Sequence, residues 1–143
     1  MTEKLIKSKE RVKKHAEVFT PEWVVNEMLD LVEQNGGDIK GSYFEPSFGT
    51  GNFLVEILRR KIKAGLTPIE SLKKMYGVEL LPDNVKECKE RLKKIALDWY
   101  EKEIEHVMNV NLLQGNFLKD QEILCFKDWD TGEISSLKEM KGD

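Results

Sequence analysis

At 143 residues the chain fits one domain, large enough to bury about two-thirds of its unfolded surface. Apolar residues make up 40% and charged residues 34%, and no apolar run approaches the roughly 20 residues of a membrane span or forms an N-terminal signal core. A net charge of −3 gives no global pull toward nucleic acid, and Cys88 and Cys125, with no Cys-x-x-Cys, suggest neither a disulfide framework nor a zinc site. His15 and His106 are far apart without ligand-like neighbours, so no metal is expected, and a reducing cytoplasm is the expected compartment.

Residues 1–14 are polar and locally basic, with Lys4, Lys7, Lys9, Arg11, Lys13 and Lys14 against Glu3 and Glu10. A frayed, solvated arm is expected there, with contact to phosphates as the alternative. Thr20 then suits an N-cap, Pro21 the first helical position and Glu22 the positive end of the helix dipole. Val24, Val25, Met28, Leu29 and Val32 follow at helical spacing and predict one buried stripe ending near Asn35-Gly36-Gly37. Trp23 is expected in the core, or else as a pocket wall.

The next stretch, Tyr43-Phe44-Glu45-Pro46-Ser47-Phe48-Gly49-Thr50-Gly51, enters on an apolar run and leaves into Phe53, Leu54, Ile57, Leu58 and Ile62 at helical spacing. A strand turning tightly into a helix has this form. Glycine permits positive φ, and its missing Cβ lets a ligand approach the backbone. The unpaired N–H groups of the helix start add donors and partial positive charge. By itself a Gly-x-Gly turn also fits a plain strand–helix connection.

Thr67-Pro68-Ile69-Glu70 reads as a capping box opening a short helix, and Met75-Tyr76-Gly77-Val78-Glu79-Leu80 as a buried strand ending in an acid. Pro82 opens a long helix with Val85, Cys88, Leu92, Ile95, Ala96 and Trp99 on one face. Asn111-Leu112-Leu113-Gln114 is a third strand, left through Gly115-Asn116-Phe117-Leu118. Helix and strand alternate, which predicts an α/β fold with a parallel, doubly wound sheet. In the tail, Glu122 to Trp129 reads as a strand, Asp130-Thr131-Gly132 as a turn, and Ser135 to Lys141 as one or two weak helical turns. The expected division is a basic arm (1–14), an α/β half-domain (15–120) and an irregular tail or the start of an insertion (121–143).

Ligands of open α/β sheets bind beyond the carboxyl ends of the strands. All three exits carry polar groups: Glu45 with Gly49 and Gly51, then Glu79, then Asn116. Glu79 stands where a ribose-binding acid belongs in a βαβ unit. Asn116 could donate to and accept from an adenine edge, with Phe117 packed on its face. A nicotinamide dinucleotide fingerprint would need glycine at position 54, which is Leu54. Glu45 would repel a pyrophosphate but attract an amino or sulfonium cation, which favours S-adenosylmethionine as the cofactor.

With these residues in place, the chain resembles the adenine-specific (N6) DNA methyltransferases of restriction–modification systems, in the arrangement with the cofactor half first. Phe19-Thr20-Pro21 matches the motif leading that family's first helix, and Phe44 to Leu54 is similar to its cofactor motif. Tyr76 to Leu80 resembles its ribose-binding strand, and Gln114 to Leu118 its adenine-binding turn. The resemblance implies a Rossmann-like class I methyltransferase fold, with Phe19, Thr20, Glu45, Pro46, Ser47, Gly49, Gly51, Glu79, Leu80, Asn116 and Phe117 around the cofactor. Asn116 stands where the family often carries Asp, which should weaken recognition of the adenine amino group.

The family's catalytic motif, Asn or Asp followed by Pro-Pro and an aromatic, has no match, because no two of the prolines at 21, 46, 68 and 82 are adjacent. The chain is therefore expected to stop just before the strand leading to that motif, leaving a half-sheet ordered 3-2-1 and no catalytic activity in isolation. DNA would be engaged through the missing half. The first strand would be an open edge, inviting a homodimer or a second chain unless Ile123 to Trp129 folds over it. The alternatives are a non-catalytic relic or decoy that binds cofactor or a restriction–modification subunit, and a methyltransferase acting on a small molecule or protein.

Overall fold

The computed structural model describes residues 3–15, 17–97 and 100–140. The chain is a mixed α/β fold, compatible with a Rossmann-like arrangement. Strands β1 (Tyr43–Glu45), β2 (Met75–Glu79) and β3 (Leu112–Gln114) form a parallel sheet in the order β1-β2-β3. The parallel sheet is the one that the alternation predicted, and its order is that of the half-sheet expected from the resemblance. Among the described residues, β2 is the only strand paired with β1.

Because successive strand residues point to opposite faces, the sheet has two distinct sides. Met75 and Leu112 lie in the larger core with α3 (Asn52–Lys63), α4 (Pro68–Leu72), α5 (Pro82–Ala96) and α6 (Glu101–Asn111). Leu54, Leu58, Cys88, Leu92, Ile104 and Val107 fill that layer. The opposite side carries Tyr76, Val78 and Leu113, covered by the tail through Leu124, Phe126 and Leu137. There β4 (Cys125–Lys127) and β5 (Ile134–Ser136) form an antiparallel hairpin, followed by α7 (Leu137–Met140). Phe126 meets Phe44 and Tyr76 edge-on, with ring centroids 5.5 and 5.9 Å apart. The tail therefore covers a face of the sheet and leaves the β1 edge open.

Half of the capping box forms: the Thr67 side chain accepts the Glu70 N–H at 3.1 Å. At α2 (Glu22–Gln34) the expected cap does not form. Pro21, in extended conformation, is the N-cap residue, and the Glu3 carboxylate accepts the Glu22 N–H instead. The predicted stripe on α2 is narrower than expected. Val25 and Leu29 are buried, whereas Met28, Val32 and Trp23 are exposed, Trp23 by 65%. The reason is that α2 packs chiefly on α3, so only the side facing that helix is covered. Trp23 is neither core nor pocket wall.

The basic arm also departs from expectation. Lys9–His15 forms a helix, α1, and Lys7 and Arg11 pair with Asp83 at the start of α5. Helix α6, unforeseen, occupies residues before β3 and takes Asn111 from that strand. Trp99, expected on the α5 face, lies outside the described residues.

Candidate functional site

The turn after β1 is built from underneath. The Phe48 N–H donates to the Val78 carbonyl at 3.1 Å, and the Phe48 ring lies over Gly77, where a Cβ would come within 2.7 Å of it. Gly49 and Gly51 both have positive φ, +57° and +95°, so the backbone reverses there at little cost only with glycine. Gly51 ends the turn as the left-handed N-cap of α3, with no side chain capping the helix, which leaves its first-turn N–H groups directed outward as donors. Arg91, from α5, ties the turn down by donating to the Thr50 carbonyl and to Asn52 Oδ1, each at 2.9 Å. Asn52 in turn donates to the Thr20 carbonyl at 2.7 Å, fixing the segment that leads into α2.

These contacts enclose a cavity of about 190 Å³ at the carboxyl ends of β1 and β2. Phe19, Thr20, Glu45, Ser47, Gly49, Glu79 and Leu80 all line it, so seven of the expected site residues converge. Four do not line it. Pro46 is exposed beside the turn. Gly51 is buried against Cys88. Asn116 faces its own turn, its Oδ1 accepting the N–H groups of Leu118 and Lys119 at 3.0 Å. Phe117 packs near Phe44 on the tail-covered side of the sheet, with centroids 5.9 Å apart.

Two acids with different circumstances share the cavity. Glu79 is buried, and its carboxylate is already engaged: Oε1 accepts the Gly49 N–H at 3.0 Å, and Oε2 accepts the Leu81 N–H at 3.0 Å and Asn84 Nδ2 at 3.1 Å. A carboxylate offers about four acceptor positions, so roughly one remains free. Glu45 has no ion-pair partner among the described residues, and burial pushes its carboxyl pKa up, partly offset by the Ser47 backbone N–H. A desolvated acid without a cation is an incomplete arrangement that a cationic ligand would complete.

The pattern search missed several members of this site. Glu17 and His15 line the cavity, and Asn84, fully buried, joins Glu17 to Glu79. Asn84 sits on the inward side of α5 one position before Val85, which was the only local hint of it. A larger cavity, about 550 Å³, lies near the amino ends of the strands between Lys73, Lys74, Tyr76, Trp129 and Asp130. Its charges are of both signs and it has none of the glycine turns, so volume alone does not recommend it.

S-adenosylmethionine fits the cavity by donor chemistry more than by size. The bare backbone at Gly49, the free donors of α3 and the unpaired Glu45 suit a cationic nucleoside, but 190 Å³ is below the roughly 300–1,000 Å³ usual for ligand pockets. Binding would have to widen it. Compared with known proteins, the chain finds no match to a family model, a curated protein or a solved structure.

Proposed function

We propose that this chain is the S-adenosylmethionine-binding part of a DNA adenine N6-methyltransferase of the restriction–modification type, with a class I methyltransferase fold. The observation that carries the reading is the meeting of Phe19, Thr20, Glu45, Ser47, Gly49 and Glu79 in one cavity, with Glu45 half-buried and without a cation among the described residues. When bound, the cofactor supplies a methyl group on a sulfonium to the amino nitrogen of an adenine flipped out of the duplex. Glu45 would balance the cationic end, Glu79 would accept from the ribose, and the Gly49 turn would let the ligand lie against backbone. Asn116 would reach an adenine only if its turn released the two N–H groups it now caps.

Calorimetric titration tests the reading. S-adenosylmethionine should bind more tightly than its neutral thioether product, and the preference should shrink as pH falls. The sign follows from Glu45. Its folded-state pKa lies above the ordinary carboxylate value, a bound cation favours the ionised form, and protonation at low pH removes that attraction. Glu45→Gln should abolish the preference, worth about 1.4 kcal/mol or ten-fold at neutral pH. Absence of binding by the unaltered chain would rule the cofactor out.

The adenine-gripping Pro-Pro motif has no counterpart in these 143 residues. We propose that it is contributed by a segment pairing beside the open edge of β1. A second chain or a second copy could supply that strand. Light scattering should therefore find the chain associated, and a lasting monomer with freely exchanging β1 amides would remove this part of the proposal. A non-catalytic binder remains the second reading, favoured by the same missing motif. Methylation of adenine-containing DNA by the chain alone would contradict both.

A further inference from the structure

A chain of charges runs from the N-terminal segment into the cavity. Arg11 grips Asp83 through two contacts, Nη1 to Oδ2 at 2.6 Å and Nη2 to Oδ1 at 3.0 Å. Its other side faces Glu17, with Nη2 donating to Oε2 at 2.9 Å and Nε in charge contact with Oε1 at 2.7 Å. Glu17 Oε2 also accepts from Asn84 Nδ2 at 2.5 Å, and the same nitrogen donates to Glu79 Oε2 at 3.1 Å. Asn84 is fully buried, and its Oδ1 has no hydrogen-bond partner among the described residues.

One buried amide is thus shared by two carboxylates, one from the N-terminal segment and one from the cavity. Each carboxylate would repel the other if Arg11 did not neutralise Glu17 from its far side. The balance decides what Glu79 has to spare. With Glu17 anchored by Arg11, it draws Asn84 at the shorter distance and leaves Glu79 the longer, weaker bond. With Glu17 released, the Asn84 N–H that it now accepts is free to turn to Glu79 as well and take the acceptor position that a ligand hydroxyl needs.

We propose that Arg11, Glu17 and Asn84 are positioning residues for Glu79, which set its readiness to accept a ribose hydroxyl and thereby couple docking of the N-terminal segment to ligand recognition. The coupling rests on the reading of the cavity as a nucleoside site. It adds something that reading does not contain, because Lys7 and Arg11 lie outside the cavity lining and both meet Asp83, more than seventy residues along the chain.

The test uses S-adenosylhomocysteine and its 2′-deoxy analogue, titrated into the unaltered chain and into Arg11→Ala, Glu17→Gln and Arg11→Lys. Arg11→Ala and Glu17→Gln should each weaken the ribose ligand by about ten-fold, the equivalent of one charge-assisted hydrogen bond, and change the deoxy ligand by less than about two-fold. Arg11→Lys should recover part of the loss. Without ligand, hydrogen exchange at the Gly49 and Leu81 amides, both bound to Glu79, should quicken in Arg11→Ala while the α3 and α5 cores stay protected. Equal weakening of both ligands would overturn the proposal, since it would make the segment a mere wall. Unchanged preference with unchanged exchange would overturn it too. If the unaltered chain binds neither ligand, the nucleoside reading fails, and the relay with it. Binding that survives with its hydroxyl preference intact in every variant defeats the relay alone.

Discussion

Replacing Gly51 with alanine should destabilise the protein by about 3 kcal/mol, with roughly 1–2 from holding a Cβ in the left-handed region and the remainder from overpacking. The Gly51 φ is +95°, and an added Cβ would lie 2.6 Å from Cys88 Sγ and 3.3 Å from its Cβ. Neither atom has room to retreat, because Cys88 is fully buried in α5 at the centre of the larger core. Gly65→Ala separates the two contributions. Its φ is +108°, but no atom lies within 4 Å of the added carbon, so only the backbone strain of about 1–2 kcal/mol should appear. Thermal melts of the two variants should differ by several degrees. Cys88→Ala placed in the Gly51→Ala background should recover part of the loss. Equal melting points for Gly51→Ala and Gly65→Ala would refute the packing account.

That contact explains why the turn was visible in the sequence while its full purpose was not. The two glycines advertise a reversal, since positive φ leaves a local mark. That Gly51 also makes way for a thiol 37 positions later depends on how α3 and α5 cross, which no local pattern records. Strands were legible for the same local reason: Met75 to Glu79 is short, apolar and bounded by turn signals. Helix α6 was overlooked because Glu101, Glu103, Glu105 and His106 dilute its stripe, although Ile104, Val107, Met108 and Asn111 recur at helical spacing and are buried. Met28 and Val32 fall on the predicted stripe of α2 yet are exposed, because periodicity shows which residues share a helix side but not whether anything covers it. The N-terminal arm misled for the opposite reason. Its charges look solvated in isolation, and Asp83, which pairs with both Lys7 and Arg11, lies far along the chain. Arg11 holds the Asp83 carboxyl well below the usual carboxylate range, with Lys7 adding to the effect.

The two acids of the cavity look alike in sequence, each closing a strand, yet their replacement should have opposite consequences for stability. Glu79→Gln should destabilise by about 2–3 kcal/mol, because one oxygen that accepts an N–H becomes a donor facing a donor. The amide will place its nitrogen toward Gly49, sacrificing one bond, since the other orientation would oppose both the Leu81 N–H and Asn84. The Gly49 turn then loses its anchor to β2, and ligand affinity should fall by at least about ten-fold along with it. Glu45→Gln should leave stability unchanged or slightly raised. The Glu45 carboxyl has its pKa raised by burial, so ionisation costs folding free energy above the ordinary carboxylate pKa, and a neutral amide avoids that cost. Only affinity for a cationic ligand should drop. Urea melts of both variants, paired with titrations against S-adenosylmethionine, would resolve the two roles. Should Glu45→Gln unfold as easily as Glu79→Gln, Glu45 would be a structural acid, and the electrostatic case for a sulfonium ligand would lose its foundation.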